Sequence, residues 1–319
     1  LHPERLKKII TETLPQVEAV VCYRQGFDAV HAVPFFITSP EQIDQAILNP
    51  LCVHNLAAYL PSLKKKKVAV VVKGCDSRTV VQYMQEGLID RNNVVVIGVP
   101  CKGVVNVSRL VKAVNGEQVT SVVFEADGKV KVTTPSGEKA FALKDVCPDK
   151  CRTCLYPTPV VYDHLAGDPV APDAPPDAVH QQVAEIEGMS LEQRLAFWKK
   201  EVDRCIRCYA CRNACPMCVC QDSCIVETRS PHWMSQNASV DEKLMFHLIH
   251  AVHLAGRCVE CGECERACPM DIPVATMKRK INRDMKALFG YEPGVKIDEK
   301  PPMYVFNVDE ATIKEHKLS

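Results

Sequence analysis

Apolar positions fall in short unbroken runs in the first half of this chain and at three- and four-residue spacing in the second. VAVVV (68–72) follows four lysines, and VVVIG (94–98) comes 22 residues after its last valine. Both are apolar throughout, the pattern of strands buried on both faces. Between them, after Gly74-Cys75-Asp76-Ser77, TVVQYMQEGLI carries helical spacing. The result is a β-α-β unit, predicted to have parallel strands and a right-handed crossover. Ser39 is placed to cap a helix through EQIDQAIL, and residues 118–144 read as a β-hairpin: TSVVFEA, an Asp127-Gly128 turn, then KVKVTT.

The second half reads as helices. Ser190 and Gln193 form a capping-box pair, with Leu191, Leu195, Trp198 and Val202 on one face. Residues 240–255 form a mostly apolar helix stopped by Gly256. A third helix runs from Asp271-Ile272-Pro273 to Gly290, with Val274, Met277, Ile281, Met285 and Leu288 along one face. Lys278, Arg279, Lys280, Arg283 and Lys286 lie mainly on its other faces and read as a solvated surface. Between the halves, PTPVVYDHLAGDPVAPDAPPDA (157–178) is rich in proline, which removes backbone donors and favours extended chain. That stretch reads as a linker, or as a strap over a partner's surface.

Composition narrows the function classes. The 319 residues hold 39 basic and 39 acidic side chains, which gives no electrostatic case for nucleic acid or an anionic membrane. No apolar run approaches a membrane span, and LHPERLKKII lacks the layout of a signal peptide. The sequence is therefore read as a cytoplasmic chain that can still sit beside a membrane complex through partners. Eighteen cysteines in a chain long enough to build its own core point to metal ligands rather than a disulfide framework.

Their spacing is specific. Cys205-x2-Cys208-x2-Cys211-x3-Cys215-Pro recurs as Cys258-x2-Cys261-x2-Cys264-x3-Cys268-Pro. Three close thiols wrap a cubane while the cysteine before proline reaches the neighbouring one. One 4Fe–4S cluster is thus assigned to Cys205, Cys208, Cys211 and Cys268, and a second to Cys258, Cys261, Cys264 and Cys215. Cys147, Cys151 and Cys154 offer three corners of a third, with Cys101 as fourth ligand and Cys75 as its alternative. Cys75 and Cys101 follow the carboxyl ends of the two strands, the crevice where open α/β sheets bind ligands. Structural zinc is the competing reading. Cys218, Cys220 and Cys224 are left for a possible further site, though the tight C-x-C hinders both of its thiols from reaching one cubane. His247, His250 and His253 read as core residues or as neighbours of ligands. No G-x-G-x-x-G follows either strand.

GVPC (98–101) and CRTCLYPTPVVYDHLAGDPV (151–170) resemble the beta-subunit family of coenzyme F-420-reducing hydrogenases and formate dehydrogenases. The matching residues are Cys101, Cys151, Cys154, Asp163, Gly167 and Asp168. The helix-separated cysteine repeat resembles the α-helical ferredoxin domain found in heterodisulfide reductase and in the iron–sulfur subunit of succinate dehydrogenase. The organisation that follows is an α/β domain at 1–156, a Pro-rich linker at 157–188, an α-helical two-cluster domain at 189–290 and a tail at 291–319. The resemblance implies a subunit of anaerobic redox metabolism that relays single electrons between flavin- or metal-bearing partners, rather than a stand-alone catalyst. The alternative it implies is an FAD-containing subunit exchanging hydride with a deazaflavin.

Overall fold

The computed structural model describes residues 2–125, 127–220, 223–227, 233–235 and 237–305. The last part of the tail assigned at 291–319 lies outside the described residues.

Five strands form a mixed sheet: β1 (Ala19–Gln25), β2 (Ala32–Ile37), β3 (Val68–Val72), β4 (Val94–Gly98) and, last in the chain, a strand at His164–Leu165. Its order is β2-β1-β3-β4 and then the His164–Leu165 edge; only the β1–β2 pair is antiparallel. β3 and β4 pair parallel in register from Val68–Val94 to Val72–Gly98, as the two aliphatic runs predict. β3 is buried at every position because covering layers lie on both of its faces. Helix α1 (Pro3–Thr13) packs Leu6 and Ile10 into this core, and α2 (Gly74–Gln85) makes the crossover.

Three readings change. The predicted hairpin is a three-stranded antiparallel sheet, Ser121–Phe124, Lys129–Thr134 and Gly137–Ala142. The third strand, GEKAFA, has no buried position and so carries no apolar signal. Ser39 and Gln42 do form a capping box, but on a short 3-10 turn (Pro40–Gln45), because the chain turns extended at Ala46. The proline-rich stretch does not hang free. Its first part supplies the fifth strand of the sheet, where the Asp163 carboxylate accepts from Val96 N–H at 2.7 Å and from Arg91 at 2.5 Å.

The helical half contains α3 (Leu191–Asp203), α4 (Val240–Val252) and α5 (Val274–Phe289). The Ser190–Gln193 box caps α3, and Gly290 ends α5 at φ 64°. On α3, Val202 is buried and Trp198 packs towards Ala251 and Met277, while Leu191 and Leu195 stand exposed, outside the predicted buried face.

The two halves share a core. Met217 and Leu254 are buried among the strands and α2, with Cys215, Cys218 and Cys258 packed against that cluster. Tyr83 on α2 donates to Pro216 O at 2.5 Å, and Arg257 grips the Glu86 carboxylate with two bonds of 2.8 and 2.6 Å. No helix among the described residues is long and apolar enough to cross a membrane.

Candidate metal centres

The two cysteine repeats fold into the same local shape. Each has left-handed backbone before and after its second cysteine: Arg207 (φ 51°) and Tyr209 (φ 59°) in the first, Glu260 (φ 57°) and Gly262 (φ 70°) in the second. Each then runs into a one-turn helix, Ala210–Asn213 or Glu263–Arg266, that ends before the Cys-Pro step. Non-glycine residues adopt that conformation at a cost of order 1 kcal/mol each, so its recurrence at matching positions marks a functional loop. In the first loop, Arg207 N–H donates to Cys205 Sγ at 3.3 Å.

Electrostatics show which thiols face one another. Burial is the leading cause wherever these motif thiols are raised, and thiol neighbours add to it. Cys205 is raised further by Cys268 and Cys208. Cys211 is pushed up to about 12, with Cys264, Cys268 and Cys205 contributing. Cys258 is pushed up to about 12, with contributions from Cys264 and Cys215. Cys261 and Cys264 are likewise raised by Cys215. Cys215, from the first repeat, therefore faces the thiols of the second, and Cys268 faces those of the first. In the α/β part, Cys101 is pushed up to about 12, with Cys151 and Cys154 adding to burial. Cys147 is raised by Cys151, and Cys75 by Cys154. Cys75 and Cys101 thus share Cys154 as a neighbour. Both also line, with Cys151 and Cys154, a cavity of about 1960 Å³ that Cys147 does not line. The proline-rich stretch lines it too, as a strap over the chain's own surface.

A tetrahedral zinc with Zn–S near 2.3 Å holds its sulfurs about 3.8 Å apart. Among the described residues, the one group of three ligand atoms within 4.8 Å of one another is Cys215, Cys218 and His250. All eighteen cysteines are free of disulfides.

Of Cys218, Cys220 and Cys224, Cys218 is the one beside the buried His250. Its Sγ lies 3.2 Å from His250 Nε2, and its thiol hydrogen-bonds Cys215, the leading cause of the lowered Cys215 pKa. Cys220 is exposed, and Cys224 pairs with the Arg212 guanidinium. His247 and His250 are buried against Phe246. Burial holds His247 down at about 4.

Sequence reasoning missed two lysines. Lys278, read as solvated, is 2% exposed, and Arg279 is buried beside it. The Lys278 ammonium bears on Cys211, Cys215, Cys258 and Cys264. Lys150 Nζ donates to Cys261 O and bears on Cys75. Burial opposes both charges, and interaction with the neighbouring cysteines, and with Glu263 at Lys150, outweighs it, so both pKa values are raised. The Gly74 turn is no open phosphate cradle, because a Cβ there would stand 1.6 Å from Tyr156 O.

Residues 65–218 match the family described as the C terminus of the beta subunit of coenzyme F-420 hydrogenase/dehydrogenase, and residues 204–272 match the 4Fe-4S dicluster domain. Among curated proteins, the F-420-dependent formate dehydrogenase subunit beta of Methanocaldococcus jannaschii is 25% identical over 353 residues, spanning 92% of this chain and 90% of its own length. The F-420-dependent formate dehydrogenase 1 subunit beta of Methanococcus maripaludis is 25% identical over 346 residues, spanning 90% and 88%. A chain of the F-420-reducing NiFe hydrogenase complex from Methanosarcina barkeri aligns at TM-score 0.37 and 18% identity, over 47% of this chain and 58% of that one. The beta-subunit match extends through the strap into the first cysteine repeat, so the family region and the dicluster domain overlap at 204–218.

Proposed function

We propose that this chain is a cytoplasmic iron–sulfur subunit relaying single electrons between redox modules of an F-420-linked formate dehydrogenase or hydrogenase-type complex. The observation that carries the reading is the crossed facing of the repeats, Cys215 towards Cys258, Cys261 and Cys264, and Cys268 towards Cys205 and Cys211. One 4Fe–4S set takes Cys205, Cys208, Cys211 and Cys268. The second takes Cys258, Cys261, Cys264 and Cys215. The third takes Cys147, Cys151, Cys154 and Cys101, with Cys75 the alternative to Cys101. When bound, such clusters accept and donate one electron at a time.

The chain's own residues do the rest. The left-handed loops fix thiol positions, and α2 joins the third set to the second. Its first turn carries Cys75, and Tyr83 and Glu86 at its far end hold the Cys-Pro segment and Arg257. A relay suits the partners that the relatives' names describe, since a two-electron hydride carrier and a one-electron wire meet only through a splitting cofactor.

A second reading, an FAD held by this chain, is favoured by the cavity beside the third set. Its lining includes Arg152, Arg279, Arg283 and Lys286, which suit phosphates. Iron, sulfide and flavin content of the anaerobically purified chain decides between the two. About twelve irons per chain without flavin is the expected result for three sets. Stoichiometric FAD would favour the second reading, and absence of sulfide would overturn both. Cys75→Ser and Cys101→Ser measured alongside identify the fourth thiol of the third set, as the one whose loss removes about four irons.

A further inference from the structure

Two buried lysines neighbour the thiol sets, Lys278 beside both repeats and Lys150 reaching from the α/β part to the second repeat. Lys278 projects from α5 between the first repeat, where it bears on Cys211, and the crossed second set of Cys215, Cys258 and Cys264. Its ammonium is buried and has no oxygen or nitrogen acceptor among the described residues. Lys150 follows Cys147 in the α/β part and crosses to the other half, where its Nζ donates to Cys261 O. Its stem runs over Gly262, where a Cβ would stand 2.6 Å from Lys150 Cδ. Cys75 and Cys151 lie on its other side.

A buried ammonium without an acceptor is costly unless an anion compensates it. No carboxylate does so at Lys278, where thiol sulfurs are the groups within reach. Adding an electron to a cluster adds negative charge, and a fixed cation in a low-dielectric surrounding stabilises that reduced form.

We propose that Lys278 and Lys150 are the fixed charges of this wire, and that they hold up the reduction potentials of the sets they neighbour. The proposal rests on the electron-relay reading. It assigns these side chains as positioning residues, acting through the sets beside them.

The test uses the full chain, purified anaerobically, with iron and sulfide counted and each cluster's midpoint followed by EPR during redox titration. Lys278→Met and Lys278→Gln keep much of the side chain's length and remove the charge; Lys278→Arg keeps the charge. The neutral variants should retain iron and shift the first and second sets' reduction equilibria at least tenfold towards oxidised, about 59 mV for a one-electron couple. Lys278→Arg should restore most of that shift. Lys150→Met should lower the second and third sets and leave the first unmoved. Full iron with unchanged midpoints in the neutral variants would overturn the proposal. If both neutral variants at 278 lose iron while the arginine variant keeps it, the requirement for charge is upheld. Loss from the arginine variant as well would show that shape matters instead, and would overturn it. Absence of iron and sulfide from the unaltered chain is the separate result that removes the relay reading itself.

Discussion

Cys215 is the residue on which the two repeats depend most. It belongs to the first loop by sequence, faces the second loop's thiols, and accepts a hydrogen bond from Cys218. Cys215→Ser should therefore perturb the EPR signal of the set formed with Cys258, Cys261 and Cys264. The signal of the Cys205 set should keep its shape, and a change confined to the Cys205 signal would refute the crossed assignment. The spacing suggests this pairing because it is local and the step before proline carries its own geometric meaning. Lys278 was not legible. Helical periodicity records which face a charge occupies, but the sulfurs that make its burial tolerable come from loops up to 67 residues away in sequence. His250 was read as a core residue or a neighbour of ligands, and it is both: buried, and 3.2 Å from Cys218 on a separate segment.

Helix α2 is the element that ties the chemistry to the scaffold. Its first turn lies so close to the chain leaving Cys154 that Gly74 has no room for a side chain, and Ser77 Oγ accepts from Val160 N–H at 2.9 Å. Gly74→Ala should cost about 3 kcal/mol, the upper range for overpacking, read as a lower urea midpoint at unchanged slope. The strap beyond Tyr156 should also become more open to protease. Strands β3 and β4 announced themselves as aliphatic runs, and α2 by its spacing. The β1–β2 hairpin and the His164–Leu165 strand did not. In the hairpin, the apolar run of β2, AVPFFI, contains Pro34, which argues against a strand except at a sheet edge, and that edge is where β2 lies. The last strand is two residues long inside a proline-rich stretch, and it joins because the β4 edge has a backbone N–H for Asp163 to receive.

At the scale of the whole molecule, the halves are clasped through Glu292. Its carboxylate accepts from Tyr156 Oη at 2.7 Å and from Lys286 at 2.9 Å, and it pairs with Arg78 of α2 at 3.7 Å. Burial alone would raise its pKa, but Arg78, Tyr156 and Lys286 together hold it below the ordinary range. A lowered carboxyl pKa contributes stability that is fully present above the unfolded value, about 4.3, and is lost as pH falls through the folded one. The urea midpoint of the native chain should therefore drop more steeply on acidification below about pH 4.3 than that of Glu292→Gln. Parallel slopes for the two proteins would show that the clasp does not titrate.

The shared core also bears on how the protein is made. Met217 and Leu254 complete the packing of strands that are synthesised long before them. As the chain leaves the ribosome, the α/β layer waits unfinished until the second cysteine loop is about to emerge, so it does not close ahead of the helical half as a separate early domain would. Seventeen of the eighteen thiols lie at or after Cys52, and eleven at or after Cys205. Synthesis thus leaves an interval in which iron and sulfide can reach every set before the protein shuts around them.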